Sequence, residues 1–356
     1  VAQSRFAWVE DPAGEWEDPR TGKRYSRTDE GPGAVGQPGA SGDGFSQVDV
    51  VAIEGTDVVL ASNLYTINRT GARPTLDWSV GPGAKVSGTA VDGAWLHPSL
   101  LAQVNDQRLA GLLVLRGPYV VGGRTYAATA FANPAAGASI SYVYDSQTGI
   151  LLTATSSTAG ATSPFHAPGE NPPAGNSQLT FTQFVGLRER ALPGLGAALP
   201  AWAVATPRLT YGGVYRITNP VAAGAGQIDY GAQVTVTFGR GGATWAPYQA
   251  QGVVQTLGPQ PAISSVTSGI GLYSYDPAAL GRLTPGQVLD EDPVTGQRMA
   301  VAAAGAGAGG NIVAIDVQMP GTAFRASYDG ASGTLVGYDL AVAASGTTVQ
   351  LQLQGG

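Results

Sequence analysis

The sequence predicts a mainly β protein, of the β-rich α+β class, made of two tandem related domains of antiparallel sheet that each carry a short helix. Several segments alternate apolar and polar residues with a period of two, which places one face of a strand on a core. The 356 residues include 52 glycines and 24 prolines, and this content favours turns over long helices. Two short motifs also occur twice in the same order, which indicates a duplication.

The first segment of the chain differs from the rest in charge. Twelve charged side chains fall within the first thirty residues, beside turn signals at 11–14 and 18–22. A stretch rich in glycine and proline follows, from Gly31 to Gly44. We predict a charged hairpin or arm and a linker over residues 1–44, which either packs on its own domain or reaches a neighbouring subunit.

Strand patterns then define two domains. Residues 48–53 and 57–60 flank a turn and begin a first domain over 45–190, which includes a Pro-rich surface loop at 163–176. Residues 191–207 hold three prolines and form the predicted linker. The second domain covers 208–356, and it alternates most clearly at 233–238 and 348–353. Its Ala/Gly tract at 300–310 is interpreted as a strand end and a hairpin loop.

The first repeated motif covers residues 93–101 and 271–280, which align if one residue is inserted, so that Trp95 corresponds to Tyr273. A helix is expected to begin at the proline of each copy, because proline suits the first helical position. The preceding residues, His97 and Asp276, are the expected caps.

The second repeated motif covers residues 144–151 and 328–335 and reads Tyr-Asp-x-x-(Thr/Ser)-Gly-x-Leu. Its aspartate can open a turn, and its glycine can adopt the positive φ that a hairpin needs. The two motifs lie at similar separations in the two halves, so we interpret each half as strands, a short helix, and further strands.

Composition excludes several classes of function. Charged residues make up only 12% of the chain, against about 25% in typical soluble domains. A surface with few charges is typical of an ordinary secreted β protein. It is also typical of a subunit that its neighbours cover, because burying a charge is costly. Both alternatives stay open. A net charge of −6 and only two lysines, Lys23 and Lys85, argue against nucleic acid as a partner.

Cysteine is absent, which excludes disulfides and thiolate metal sites. No apolar run approaches the roughly 20 residues that span a bilayer, so no transmembrane segment is predicted. The sequence begins at Val1 rather than Met, as expected of a chain whose signal peptide has been removed. We therefore expect an extracellular, periplasmic or cell-envelope location.

Histidine chemistry has two candidates, and no Gly-x-Ser-x-Gly nucleophile elbow accompanies them. His97 is interpreted as a helix cap and His166, in a Pro-rich loop, as a surface residue. The run Asp290-Glu291-Asp292 can attract calcium, although a solvated hairpin turn is the preferred interpretation. The glycines at 305, 307 and 310 match a dinucleotide fingerprint, but a β-type run follows them instead of the required helix. No metal site and no cofactor are predicted.

Two further groups of residues have a functional and a structural interpretation. Paired carboxylates serve glycoside hydrolysis when they are about 5–9 Å apart, and the scattered acids are Asp49, Glu54, Asp57, Asp77, Asp92, Asp145, Glu170, Asp229 and Asp316. Aromatic side chains form either a sugar- or lipid-contacting surface or core packing, and they are Trp78, Trp95, Trp202, Trp245, Tyr119, Tyr126, Tyr142, Tyr211 and Tyr273. Asn68 begins a glycosylation sequon, whose use the sequence does not decide.

The functional expectation rests on the small number of ionisable and metal-coordinating side chains in the sequence. We expect a non-catalytic secreted or envelope protein that serves as a structural or accessory subunit of an extracellular or envelope assembly, with other protein subunits as partners. The first alternative is a binding module for a lipid or carbohydrate ligand, and the second is a carboxylate-based hydrolase. No catalytic residue is predicted, and the ligand-binding residues stay unassigned.

Overall fold

The structure is a computed structural model, which describes residues 2–10, 15–17, 24–26, 43–68, 75–91, 93–104, 108–109, 111–121, 123–133, 139–157, 179–205, 208–218, 226–292, 296–307, 310–343 and 345–355. The first half of the chain contains β1 (Ala2–Glu10), β2 (Glu15–Glu17), β3 (Arg24–Ser26), β4 (Asp43–Glu54), β5 (Asp57–Asn68), β6 (Thr75–Val80), β7 (Ala84–Ser87), α1 (Pro98–Gln103), β8 (Arg108–Leu109), β9 (Leu112–Val121), β10 (Arg124–Asn133), β11 (Ser139–Asp145), β12 (Leu151–Ser157) and β13 (Leu179–Glu189).

The second half repeats this plan after a short helix. It contains α2 (Ala201–Val204), β14 (Arg208–Thr218), β15 (Gln227–Phe238), β16 (Trp245–Val254), β17 (Gly258–Pro259), β18 (Ile263–Ser268), α3 (Pro277–Leu280), β19 (Val288–Asp292), β20 (Gln297–Gly307), β21 (Gly310–Met319), β22 (Thr322–Asp329), β23 (Leu335–Val342) and β24 (Thr347–Gly355). Within the described residues, no helix is long and apolar enough to span a bilayer.

Within the residues that the structure describes, each half contains an antiparallel sheet of 11 strands, and the strand orders of the two sheets correspond one to one. The first sheet runs β6-β5-β4-β1-β13-β12-β11-β10-β9-β8, and the second runs β17-β16-β15-β14-β24-β23-β22-β21-β20-β19. The extra strand also corresponds, because β7 pairs with β5 and β18 pairs with β16. The predicted mainly β class with antiparallel sheets is confirmed, and the shared order is compatible with two related domains.

The arm predicted over residues 1–44 had two alternatives, to pack on its own domain or to reach a neighbouring subunit, and residues 2–10 lie within the sheet of the first half. Strand β1 pairs with β13 on one side and with β4 on the other, in the middle of the first sheet. Its partner β13 lies far away in sequence, so no local signal reveals this pairing. Strands β2 and β3 do form a hairpin, as expected. The exact domain boundaries stay a prediction, and the 163–176 loop lies outside the described residues.

The strands predicted from alternation are present. The turn between β4 and β5 centres on Gly55, with a φ of 66°. Strand β15 contains residues 233–238, and β24 contains 348–353. The Ala/Gly tract forms paired strands β20 and β21 rather than a phosphate loop. The 191–205 segment packs on the second half, where Leu192 and Leu199 are buried.

The repeated turn motif holds the helical segment in both halves. The aspartate carboxylates accept hydrogen bonds from backbone amides two and three residues later, in Asp145 and again in Asp329. The turn glycine carbonyls then accept the amides of Leu96 and Tyr275, at 2.8 Å in each half. A tyrosine beside each aspartate donates its hydroxyl to the segment before the helix.

These hydrogen bonds correct the alignment of the first motif. Because Leu96 and Tyr275 occupy the same position, Trp95 corresponds to Ser274, and both form the equivalent bridge to the turn. No inserted residue is needed, and the proposed match of Trp95 with Tyr273 is wrong. The caps are as predicted, since His97 accepts a hydrogen bond from the amide of Ser99, and Asp276 accepts from two amides of α3.

The turn glycines allow a test of this arrangement. We expect Gly149→Ala to lower the free energy of unfolding by about 2–4 kcal/mol, because a positive φ and a steric clash add together. A Cβ at Gly149, where φ is 76°, would lie 1.8 Å from the carbonyl oxygen of Leu96. The measurement is urea unfolding followed by circular dichroism.

The control is Gly111→Ala, because Gly111 has a φ of 87° and no atom within 4 Å of an added Cβ. That substitution should cost only about 1 kcal/mol, from the backbone conformation alone. Equal losses in the two variants would contradict the docking of the helical segment on the turn.

Candidate ligand cavity

A cavity of about 220 Å³ lies where the two halves meet. One face of β4, β5 and β6 forms its first wall. Except for Ser62, the lining residues of that wall alternate along the strands, as the pleat requires, and they are Gln47, Asp49, Val51, Ala61, Asn63, Tyr65, Trp78 and Val80. The opposite wall is one face of β20, β21 and β22, and its residues are Gln297, Met299, Ile315, Val317, Met319, Phe324, Ala326 and Tyr328.

Trp78 is the main apolar contact between these walls. Its ring centroid lies 5.7 Å from that of Phe324, with the planes inclined by 49°. The indole Nε1 donates to the Asn63 side chain at 3.2 Å, which orients the ring on its own sheet. Since aromatic pairs of this kind add about 0.5–1.5 kcal/mol to area burial, Trp78 anchors the first wall on the second.

Tyrosine side chains that line the cavity form hydrogen bonds with neutral groups. The Tyr65 hydroxyl, from the first half, donates to Gln297 of the second half at 2.9 Å. Tyr275 donates to the carbonyl of Pro193 at 3.0 Å, and burial raises the pKa of its hydroxyl to about 12. Burial also raises the pKa of Tyr248 to about 12. These lining phenols are therefore uncharged at neutral pH.

Arg190 forms the charged part of the lining. It directly follows β13, and its guanidinium contacts Asp49 of β4 at 3.6 Å and Asp290 of β19 at 3.0 Å. The three side chains are only 13–18% exposed. Partial burial weakens solvent screening of these ion pairs, and Arg190 links a carboxylate of the first sheet to one of the second.

A second contact between the halves lies beside the cavity. Glu54, at the end of β4, accepts hydrogen bonds from the Trp245 indole and from Lys85, both at 2.8 Å. These bonds, first from Lys85 and then from Trp245, lower the pKa of Glu54 below its ordinary value of 4.5. Beneath them, Val59 and Val266 form a small buried cluster with the Trp245 ring. This cluster gives the interface an apolar core of its own.

The candidate catalytic and metal residues do not converge. His97 caps α1, where its Nδ1 also contacts the Ser99 hydroxyl at 2.6 Å, and His166 lies outside the described residues. Asp290 pairs with Arg190, whereas its neighbour Glu291 pairs with Arg298. Among the described residues, no group of three or more His, Cys, Asp or Glu side chains is arranged to hold a metal.

The scattered acids serve different local structures. Asp145 holds its turn, and Asp57 contacts Lys85 at 3.4 Å. Asp229 and Asp316 each accept two hydrogen bonds from an arginine, and these arginines are Arg216 and Arg325. The side chains of Asp77, Asp92 and Glu170, like that of Asn68 at the end of β5, lie outside the described residues. Of the described acids, only Asp49 lines the cavity.

Most of the candidate aromatic residues belong to cores. Trp245, Tyr119, Tyr211 and Tyr273 are buried, and Trp202 packs on Phe238 and donates to the carbonyl of Ser332. Trp95 donates to the carbonyl of Thr148, the equivalent turn position in the first half. Tyr126 and Tyr142 pack on the core of that half. Within this set, Trp78 alone lines the cavity.

Sequence reasoning missed the other lining residues that carry the interface. Tyr65, Arg190 and Phe324 have no distinguishing local motif, because their partners are more than 200 residues away or in another sheet. The alternation within β5 and β22 assigns Tyr65 and Phe324 to a face of the sheet, but it does not say what covers that face.

The contact at Glu54 predicts a pH-dependent contribution to stability. Because the folded-state pKa of Glu54 is lowered, its contribution is present above the ordinary value of 4.5 and is lost as the pH falls through the lowered pKa. We expect Glu54→Gln to be less stable than the parent protein at neutral pH and to differ little from it in acid. Urea unfolding across a pH series measures this difference.

Trp245→Phe is the matched variant, because it keeps an aromatic ring but removes the indole donor. It should lose part of the pH-dependent difference and retain the part that comes from Lys85. A stability difference between Glu54→Gln and the parent that does not change with pH would contradict this assignment.

No protein family matches the chain, and no curated protein matches it either. The chemistry of the cavity and its walls is therefore the basis for any functional conclusion.

Proposed function

We propose that this protein is a non-catalytic binding module that encloses an apolar ligand between its two halves. The observation that carries the proposal is the cavity itself, whose walls come from two sheets and are mostly apolar. Ligand sites commonly occur at such junctions and combine an apolar lining with a few polar groups. Neither half alone forms this site.

The size of the cavity limits the ligand. Its volume of about 220 Å³ exceeds the roughly 150 Å³ of an apolar cavity that accommodates benzene. It is smaller than the about 300–1,000 Å³ of sites for drug-sized molecules. A small apolar compound, or the terminal part of an acyl chain, fits these limits.

The lining favours a lipid-like ligand over a carbohydrate. A sugar needs many hydrogen-bonding partners once it leaves water, whereas the described second wall has one amide, that of Gln297, among Met, Ile, Val, Phe, Ala and Tyr side chains. The Trp78 ring packs against Phe324, so it serves the interface between the walls. Asp49, the acid of the described lining, is paired with Arg190, which gives little support to a carboxylate-based hydrolase.

Filling the cavity tests the proposal. N-phenyl-1-naphthylamine, an uncharged fluorescent probe, should bind the parent protein, and Ala326→Leu should weaken binding by at least about tenfold, because the larger side chain occupies ligand space. Ala326 is buried in the cavity wall on β22. Fluorescence titration measures both affinities.

Ala323→Leu is the control, because Ala323 is exposed on the opposite face of the same strand. It should leave probe binding unchanged, and circular dichroism checks that both variants fold. Failure of the parent protein to bind the probe, or an equal loss in both variants, would count against the binding function.

A second candidate is a structural or accessory subunit of an extracellular or envelope assembly. Two observations favour it, namely the low charge content and several exposed large apolar side chains, such as Ile53 at 66% and Val120 at 61% exposure. Contact with other protein subunits would cover such positions. The proposed extracellular or cell-envelope location rests on composition and belongs to this candidate.

Native material distinguishes the two candidates. The assembly function predicts a particle larger than the 36.1 kDa chain, recovered from the culture medium or envelope fraction and measured by light scattering. A monomer at high protein concentration, or recovery from the cytosol, would contradict the assembly function and leave the binding function in place.

A further inference from the structure

The face of the second sheet that forms a wall of the cavity carries two rows of mostly apolar side chains that extend beyond it. In the first row, each residue pairs directly with the next across six strands, and its members are Val317, Phe324, Leu340, Val349, Tyr215 and Tyr230. The second row lies two residues away along each strand, and its members are Met319, Thr322, Val342, Thr347, Ile217 and Ile228. We call these twelve residues the apolar strip.

The apolar strip begins at the cavity and continues outside it. Val317, Met319 and Phe324 line the cavity, and Met319 and Phe324 are buried. From β23 to β15 the members of the strip are only partly buried, and Ile228 at its end is 48% exposed. The apolar wall of the cavity therefore continues as an open surface across β23, β24, β14 and β15.

Charged side chains of these strands lie on the opposite face of the sheet. Successive side chains of a strand point to opposite faces. Five charged residues each stand next to a member of the strip in sequence, and they are Arg216, Asp229, Asp316, Arg325 and Asp339. Two ion pairs form on that face, Arg216 with Asp229 and Arg325 with Asp316. The open part of the strip therefore presents an uncharged surface to water.

The dimensions of the open part favour a single extended chain as its occupant. It crosses the adjacent strands β23, β24, β14 and β15, and with strands about 4.8 Å apart it measures about 14 by 7 Å between Cα positions. Its footprint, on the order of 100 Å², is far below the roughly 800 Å² that each partner buries in a standard protein interface. A single alkyl chain, by contrast, is long, narrow and uncharged.

We propose that the ligand is a long-chain lipid whose alkyl chain ends in the cavity and extends along the apolar strip. The proposal rests on the binding function above and adds a ligand class to it, namely molecules with a long unbranched alkyl chain. Because benzene occupies an apolar cavity of roughly 150 Å³, a cavity of about 220 Å³ encloses about nine carbon atoms by the same ratio. A longer chain must leave the cavity, and the strip is an apolar surface that continues from its wall.

The test compares 1-octanol, whose chain the cavity can enclose, with 1-hexadecanol, whose chain is longer than the cavity. Equilibrium dialysis with the radiolabelled alcohols gives both affinities. Each fully buried methylene raises affinity about fourfold, and a chain on an open strip is buried on one side. We expect the parent protein to bind 1-hexadecanol at least about tenfold more tightly than 1-octanol. The change in this ratio on mutation carries the test.

Val349→Asp places a charge in the open part of the strip, outside the cavity lining, and should lower the hexadecanol-to-octanol ratio by about tenfold, because an alkyl chain does not compensate the loss of hydration. Val342→Asp should act in the same direction, which keeps the test available if one variant does not fold. Gln350→Asp is the matched control, because Gln350 is exposed on the opposite face of the same strand. It should leave the ratio unchanged, and circular dichroism checks that each variant folds.

The outcomes separate the two proposals. If the parent protein binds 1-octanol but binds 1-hexadecanol no more tightly, or if Val349→Asp and Gln350→Asp change the ratio equally, the ligand class is wrong while the binding function stands. A parent dimer that Val349→Asp, but not Gln350→Asp, converts to a monomer in light scattering would assign the strip to a second copy of the chain instead. If the parent protein binds neither alcohol nor N-phenyl-1-naphthylamine, the binding function fails and the ligand class is overturned with it.

Discussion

The contact between one face of β4–β6 and the opposing face of β20–β22 is the interaction on which the candidate site depends. Trp78 against Phe324, and the cluster of Val59, Trp245 and Val266, hold the two sheets together. Burying a large apolar side chain contributes about 1.5–3 kcal/mol, so each of these side chains stabilises the contact between the two sheets. The cavity is the part of this interface where the side chains do not fill the space.

The two halves share a backbone plan and differ in the side chains that complete it. In each half, a turn with an aspartate and a glycine of positive φ receives the segment that leads into a short helix. An indole caps the turn carbonyl in both halves, but Trp95 comes from the helical segment itself and Trp202 comes from α2. The two halves thus share the same hydrogen-bond requirement, while different parts of the chain supply the donor.

In the part of the chain that the structure describes, the few charged side chains mostly form ion pairs or hydrogen bonds that support the fold. Arg190 joins both sheets, and Glu54 joins the β4–β5 turn to Trp245. Each of these contacts therefore links the first half of the chain to the second.

The sequence by itself determined the β class, several strands, the turn glycines and the caps at His97 and Asp276. These features follow from rules that act over a few residues, such as alternation, positive φ and N-capping. It did not determine that β1 lies between β4 and β13, or that Trp95 corresponds to Ser274. Only the tertiary structure decided which faces meet, and therefore that Tyr65, Arg190 and Phe324 share one cavity, because that choice depends on the fit of two whole sheets.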